Sequence, residues 1–203
     1  MGYHRAGFDV VGVDIERQKR YPFEFVQADA IEYVKAHGHE FDMIHASPPC
    51  QVYSVTVSLS NGNHPDLVGP TRDALLEIDK PFVIENVVGA PLRNPLMLCG
   101  TMFGLRVQRH RLFEIWPNPI WFPPHPCKHD GRATGNAHRA DGIRRTVSFA
   151  DGFKFLTIAG HDFLVAEARQ AMDIDWMSKA GLSQAIPPAY TEWIGGQLIS
   201  NFT

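Results

Sequence analysis

The chain has 203 residues, of which 44% are hydrophobic and 20% are charged, a composition that suits one globular domain with a substantial core. Three cysteines are too few for a disulfide framework and favour a reducing cytoplasm, while no apolar run approaches the roughly 20 residues of a membrane span. The net charge of −3 is unevenly distributed, because residues 104–145 carry eight Lys/Arg against three Asp/Glu. This basic stretch predicts either a phosphate-facing strip or a solvated loop.

Apolar runs alternate with helical patterns through the first half of the chain, which predicts an α/β fold. Gly7 is typical of a residue that closes a helix, and the strands are predicted at 9–15, 24–28, 41–46 and 81–88. Helices are predicted at 30–37 and 71–79, the second with Thr71 as its N-cap. Further on, two short strands are expected within 146–159, and helices at 166–177 and 191–199 with a loop at 182–190 between them.

The segment Phe41–Gln51 predicts a strand that ends in a rigid turn and delivers a cysteine. Proline fixes its own φ and disfavours helix in the residue before it, so Ser47-Pro48-Pro49 is expected to leave the strand in an extended form. In open α/β sheets the chemistry gathers beyond the carboxyl ends of the strands, where Cys50 would lie. A buried, inert thiol is the ordinary alternative for a lone cysteine.

Glu85 and Asn86 end the apolar run at 81–88. An acid beside an amide in such a run costs free energy unless both groups are paired or used. If the two strands are neighbours, Cys50 and Glu85 would face one pocket.

The motifs Pro49-Cys50-Gln51 and Glu85-Asn86-Val87 resemble the catalytic signatures of the DNA cytosine-5 methyltransferase family. Gln108-Arg109-His110-Arg111 and the stretch Gln184 to Tyr190 resemble two further motifs of that family, in the same order. The arginine motif departs from the usual pattern, since Gln108 and Arg109 are adjacent. Arg109 and Arg111 are expected at the start of a strand, on the same face.

The resemblance implies a Rossmann-like, class I methyltransferase sheet with helices on both faces and S-adenosylmethionine as cofactor. Cys50, Glu85, Arg109 and Arg111 take the catalytic roles. The resemblance also implies that residues 1–115 and 166–203 form the catalytic core and that residues 116–165 form a small target-recognition segment. The positions that match cofactor contacts are Asp14, Ile15, Asp29, Ala30 and Pro48. The residues assigned to DNA are Gln51, Ser54, Asn86, Arg132, Arg139, Arg144 and Arg145.

Double-stranded DNA is the expected partner, for a monomer in the cytoplasm of a bacterial or phage-infected cell, and restriction-modification is one context. The family's first strand and its Phe-x-Gly-x-Gly loop are not found before Gly2, so part of the cofactor seat and the first strand are expected to be absent or truncated. Three interpretations stay open: a longer gene product, a split enzyme that receives the strand from another chain, and an inactive DNA-binding relative. Transfer of a related group instead of methyl is a fourth.

A metal site is not expected. His125, Cys127 and His129 are possible zinc ligands, which keeps zinc as a minor alternative, but no second Cys/His pair lies at zinc-finger spacing, and Cys99 is predicted to be a core residue.

Overall fold

The computed structural model describes residues 1–53, 65–117, 124–134, 148–159 and 163–199. The fold is α/β, with a mixed sheet, as the alternating pattern predicts. The strands are β1 (Val11–Asp14), β2 (Glu24–Gln27), β3 (Ile44–Ala46), β4 (Phe82–Asn86), β5 (Leu96–Leu98) and β6 (Arg111–Trp116). The helices are α1 (Gly2–Arg5), α2 (Ala30–His37), α3 (Val68–Ile78), α4 (Val165–Met172), α5 (Lys179–Gln184) and α6 (Pro188–Leu198).

The chain divides into two compact units that are not continuous in sequence. The first unit comprises residues 1–10, 98–109 and 123–203, and the second comprises residues 11–97 and 110–122. The predicted functional division at residues 115 and 165 is a separate matter and stays a prediction.

The strands form two hydrogen-bonded groups. β1 pairs with β2 in parallel, and the other four lie in the order β3-β4-β6-β5, in which β3 is parallel and β6 antiparallel to β4. The core of the second unit is built on β4, where Phe82 and Ile84 are at most 1% exposed and pack with Leu75 of α3. The Trp116 ring stacks on Phe82. This fully buried central strand explains the continuous apolar run in the sequence.

In the first unit a core of Val107, Leu156, Ile158 and Phe163 packs against α4 and α5. α1 packs against α6, and the contact requires glycine at position 2. A Cβ built there would lie 2.1 Å from the hydroxyl oxygen of Thr191 and 2.2 Å from the carbonyl oxygen of Pro188. No side chain larger than hydrogen fits this approach.

Several local predictions need correction. α3 begins at Val68 and not after Thr71. Residues 148–159 form a single 3₁₀ turn at Phe149–Asp151 and isolated β-bridges at Phe155 and Leu156, so the two strands expected there are not seen among the described residues. The expected closing loop at 182–190 contains the end of α5 and the start of α6.

Candidate active site

Cys50 lies just beyond the carboxyl end of β3, as predicted. Buried Pro48 and its neighbour Pro49 carry the chain out of the strand, and the half-buried Cys50 then starts a 3₁₀ turn over Gln51–Tyr53, in which its carbonyl oxygen accepts from the amide of Tyr53 at 3.0 Å. The thiol is therefore held at a fixed point of the sheet edge and keeps some access to solvent.

Glu85 and Asn86 occupy the last two positions of the neighbouring parallel strand. The register pairs Ala46 of β3 with Ile84 of β4, so both strands end at the same edge of the sheet. The Asn86 Nδ2 donates to the carbonyl oxygen of Pro48 at 2.9 Å, and its Oδ1 accepts from the amide of Val87 at 2.9 Å. Asn86 is 1% exposed and thus ties the turn before Cys50 to β4. The sequence predicted Asn86 to contact DNA, and that role stays a prediction beside this structural one.

Arg111 forms an ion pair with Glu85. Its Nε lies 3.0 Å from Glu85 Oε1, and the two side chains are 16% and 10% exposed. The antiparallel register of β4 with β6 explains the approach, because it pairs Glu85 with Phe113, two residues after Arg111. The pair presents one carboxylate and one guanidinium at the end of β4, on the sheet edge where β3 also ends.

Arg109 does not start β6, which begins at Arg111, so the prediction that both arginines lie on one strand face is wrong. Arg109 is buried at 6% exposure and belongs to the first unit. Its Nη1 donates to the carbonyl oxygen of Ile158, and its Nη2 to that of Ser183 at 2.7 Å. Its own carbonyl oxygen accepts from the Tyr190 hydroxyl at 2.6 Å. Because these partners lie far along the chain, no local pattern could indicate them.

Asp14 and Ile15, two predicted cofactor residues, lie where β1 ends. Asp14 accepts from the amide of Glu16 at 2.8 Å and from Nε2 of Gln18 at 3.1 Å, two of about four acceptor positions on a carboxylate. The Ile15 side chain is 68% exposed, unusual for a large apolar residue. The predicted contacts of these two residues with the cofactor stay a prediction.

Asp29 and Ala30 lie at the start of α2. Asp29 is the N-cap, and its Oδ1 accepts from the amides of Ile31 and Glu32 at 2.9 and 3.1 Å. This bonding gives Asp29 a structural role that does not depend on a ligand. The predicted contact of Asp29 with adenine stays a prediction.

Two residues near the site were not singled out by the sequence. His45 lies in the middle of β3, and its Nε2 is 3.2 Å from the Ser47 hydroxyl. Burial lowers the pKa of His45 to about 4. Tyr53, at the end of the turn after Cys50, donates its hydroxyl to Asp66, and burial together with the Asp66 carboxylate raises the pKa of Tyr53 to about 12.

A buried ion pair joins β6 to α3. The Arg72 guanidinium of α3 binds Glu114 through Nε and Nη2, each at 2.7 Å, and Glu114 also accepts from the amide of Arg93 at 2.7 Å. Arg72 and Glu114 are 6% and 5% exposed. A bidentate pair of this kind fixes α3 to the strand that carries Arg111.

The residues predicted to contact DNA are only partly described. Gln51 is exposed at the start of the turn after Cys50, and the Arg132 guanidinium lies 4.7 Å from the centre of the Phe153 ring. Ser54, Arg139, Arg144 and Arg145 lie outside the described residues.

A Cys/His cluster in the first unit joins Cys99 to two residues, Cys127 and His129, that the sequence had offered as possible zinc ligands. Cys99 is fully buried, as predicted, but its Sγ lies 3.5 Å from Nε2 of His129, and that nitrogen is 2.9 Å from Sγ of Cys127. Cys99 is far from the other two along the chain, so spacing gave no signal that it would join them.

None of the described helices has the length and apolar character needed to cross a membrane. No family model matches the chain, and no curated protein matches it.

Proposed function

We propose that the chain is a DNA cytosine-5 methyltransferase that uses Cys50 as its nucleophile and S-adenosylmethionine as its cofactor. The observation that carries the proposal is the shared sheet edge of β3 and β4, at which a half-buried thiol follows one strand and the Glu85–Arg111 pair ends the next. The four sequence motifs of the chain also occur in the same order as in that family.

The chemistry requires a nucleophile because C5 of cytosine is weakly reactive, and the base must first leave the helical stack. The Cys50 thiolate adds to C6, which gives C5 the electron density to form a bond to an electrophilic carbon. Loss of the C5 proton then expels Cys50 and restores the aromatic ring. S-adenosylmethionine, when bound, would supply the electrophilic methyl group and leave as S-adenosylhomocysteine.

Glu85 stabilises the base while Cys50 is attached to it. Its carboxyl group would accept from the amino group of cytosine and, in its protonated form, donate to N3, and Arg111 at 3.0 Å keeps the group in place. Asn86 holds the Pro48 carbonyl oxygen, so the strand exit that carries the thiol is positioned relative to Glu85. Asp14 and Ile15 would hold the ribose and adenine of the cofactor.

The first prediction concerns Cys50 directly. The chain is expressed in bacteria deleted for their own cytosine-5 methyltransferases, and 5-methylcytosine in total DNA is quantified by mass spectrometry. A genome presents all short sequences, so the assay needs no knowledge of the target. We expect 5-methylcytosine from the wild type and none from Cys50→Ala, because the addition to C6 is lost.

Calorimetric titration with S-adenosylhomocysteine provides the control for folding and cofactor binding. We expect micromolar affinity, about −8 kcal/mol, for both the wild type and Cys50→Ala, and weaker binding by Asp14→Ala. Equal 5-methylcytosine from wild type and Cys50→Ala would contradict the mechanism. A folded wild type that neither binds the ligand nor modifies DNA would contradict the proposed function.

A further inference from the structure

The cluster of Cys99, Cys127 and His129 has the ligand types of a zinc site. Thiolate and neutral imidazole are the groups that zinc prefers in structural sites. The Cys99 Sγ, Cys127 Sγ and His129 Nε2 atoms lie within 4.8 Å of one another. All three residues belong to the first unit of the chain.

The distances between the ligand atoms match the edges of a zinc tetrahedron. With Zn–S bonds of about 2.3 Å and Zn–N bonds of about 2.0 Å, tetrahedral angles put S and N about 3.5 Å apart. Cys99 Sγ and His129 Nε2 are 3.5 Å apart. Cys127 Sγ and His129 Nε2 are 2.9 Å apart, so a bound ion requires this pair to open by about 0.6 Å.

Thr101 supplies a second layer around the sulfur atoms. Its hydroxyl oxygen lies 3.4 Å from both Cys99 Sγ and Cys127 Sγ, and it accepts from the amide of Lys128 at 3.1 Å. Hydrogen bonds from such neighbours orient metal ligands and stabilise thiolate charge. A cluster built only for packing has no need of a hydroxyl between two sulfurs.

The segment 124–130 gives the site a structural purpose. It contains no helix or strand, so backbone ladders do not hold it in place. The ion pair between Lys154 Nζ and Asp130 Oδ2, at 2.7 Å, is exposed, and exposed pairs contribute little. Cys99, in contrast, is fully buried at the start of the 3₁₀ turn Gly100–Phe103 and forms a rigid anchor.

We propose that Cys99, Cys127 and His129 bind a structural Zn²⁺ that fastens the segment 124–130 to the core of the first unit. The three residues supply three of the four ligands that zinc takes, and the fourth position goes to water or a further side chain. The proposal stands independently of the proposed methyl transfer, since it requires only these side chains.

The test uses the full chain purified under reducing conditions, stripped with a chelator and titrated with Co²⁺. Co²⁺ reports thiolate ligands by a sulfur-to-cobalt charge-transfer band and tetrahedral geometry by intense visible bands. Zn²⁺ is then added in competition. We expect both sets of bands, about one Co²⁺ per chain, and full displacement by Zn²⁺.

Variants with matched controls locate the site. Cys127→Ser and His129→Ala are expected to lower Zn²⁺ affinity at least about tenfold, whereas Cys50→Ser and His125→Ala leave it unchanged. Circular dichroism checks that each variant is folded, and Cys127 is only half-buried, so its replacement by serine is mild.

Two results would overturn the proposal. One is a folded, reduced wild type that gives no charge-transfer band with Co²⁺, or gives the same band in Cys127→Ser and His129→Ala. The other is a Cys99–Cys127 disulfide in chain isolated without reductant, seen as a loss of two hydrogens in the intact mass, if the same chain then binds no metal after it has been reduced.

Discussion

Glu85 combines two roles at the residue scale, because it is buried at 8% exposure and is also the acid that the proposed chemistry needs. A buried carboxylate requires a partner, and Arg111 meets this need. Glu85→Gln keeps the shape of the side chain but removes its charge. We therefore expect the methylation rate to fall about 100-fold or more, while the affinity for S-adenosylhomocysteine stays unchanged.

The rate is measured as incorporation of labelled methyl groups into unmethylated genomic DNA, after the wild type has been shown to be active. Glu24→Gln is the matched control, since Glu24 is an exposed acid on β2. A near-normal rate for Glu85→Gln would remove the carboxyl group from the mechanism. If circular dichroism shows that Glu85→Gln has lost its fold, the main role of Glu85 would be to compensate the charge of the Arg111 guanidinium.

Arg109 makes contacts that stabilise the first unit, and its predicted catalytic role stays a prediction. Its guanidinium donates to the carbonyl oxygens of Ile158 and Ser183. Arg109→Met removes both donors and is expected to lower the free energy of unfolding by about 1.5–3 kcal/mol, measured by urea unfolding. Arg106→Met is the matched control, because exposed Arg106 also donates to two carbonyl oxygens, at 3.2 and 3.4 Å.

We expect Arg106→Met to cost less than about 1 kcal/mol, since water replaces the lost donors at an exposed site. If Arg109→Met is as stable as the wild type but loses methylation, the result would contradict the structural role and support the predicted catalytic one.

At the scale of elements, the sequence predicted best where the signals are local. α2 runs from Ala30 to His37 as predicted, because Asp29 caps it and its amphipathic pattern is uninterrupted. The predicted start of α3 was wrong because the side chain that caps this helix lies further upstream than Thr71. Asp66 Oδ1 accepts from the amide of Val68 at 3.1 Å, while Leu67 occupies the N-cap position without a side-chain bond.

The candidate site shows the same limit. Cys50 and Glu85 could be placed from sequence because each follows an apolar run that ends at a recognisable motif, and parallel neighbours end at one edge. The burial of Arg109 and the Cys99–His129 approach could not be predicted. Both depend on partners at least 30 residues away along the chain, which periodicity and spacing do not report.

Tyr53 and Asp66 join the turn after Cys50 to the start of α3. The hydroxyl of Tyr53 donates to the same Asp66 oxygen that accepts from Val68. Tyr53→Phe removes this link, so we expect the Val68 amide to exchange with deuterium a few-fold faster, as a loss of about 1 kcal/mol implies. Tyr33→Phe on α2 is the matched control. An unchanged exchange rate at Val68 would show that Asp66 fixes this element without Tyr53.

At the scale of the whole molecule, His45 makes the stability of the chain depend on pH. The pKa of His45 is about 4 in the folded chain and about 6.5 in the unfolded chain, so between these values the unfolded chain binds more protons. The stabilisation by neutral His45 is complete above about pH 6.5 and decreases as the pH falls towards 4.

The prediction is that His45→Gln flattens this part of the pH profile. Glutamine retains a polar group near the Ser47 hydroxyl but does not titrate, so the wild type should lose up to about 3 kcal/mol more than the variant between pH 6.5 and 4. Urea unfolding at several pH values measures the difference, and the carboxyl groups common to both chains cancel in it. His39→Gln, at an exposed position, should follow the wild-type profile.

Parallel profiles for wild type and His45→Gln would mean that His45 accepts its proton in the folded chain as readily as in the unfolded one. In that case β3 would carry a charge at mildly acidic pH, close to the Ser47 hydroxyl at the start of the turn that positions Cys50.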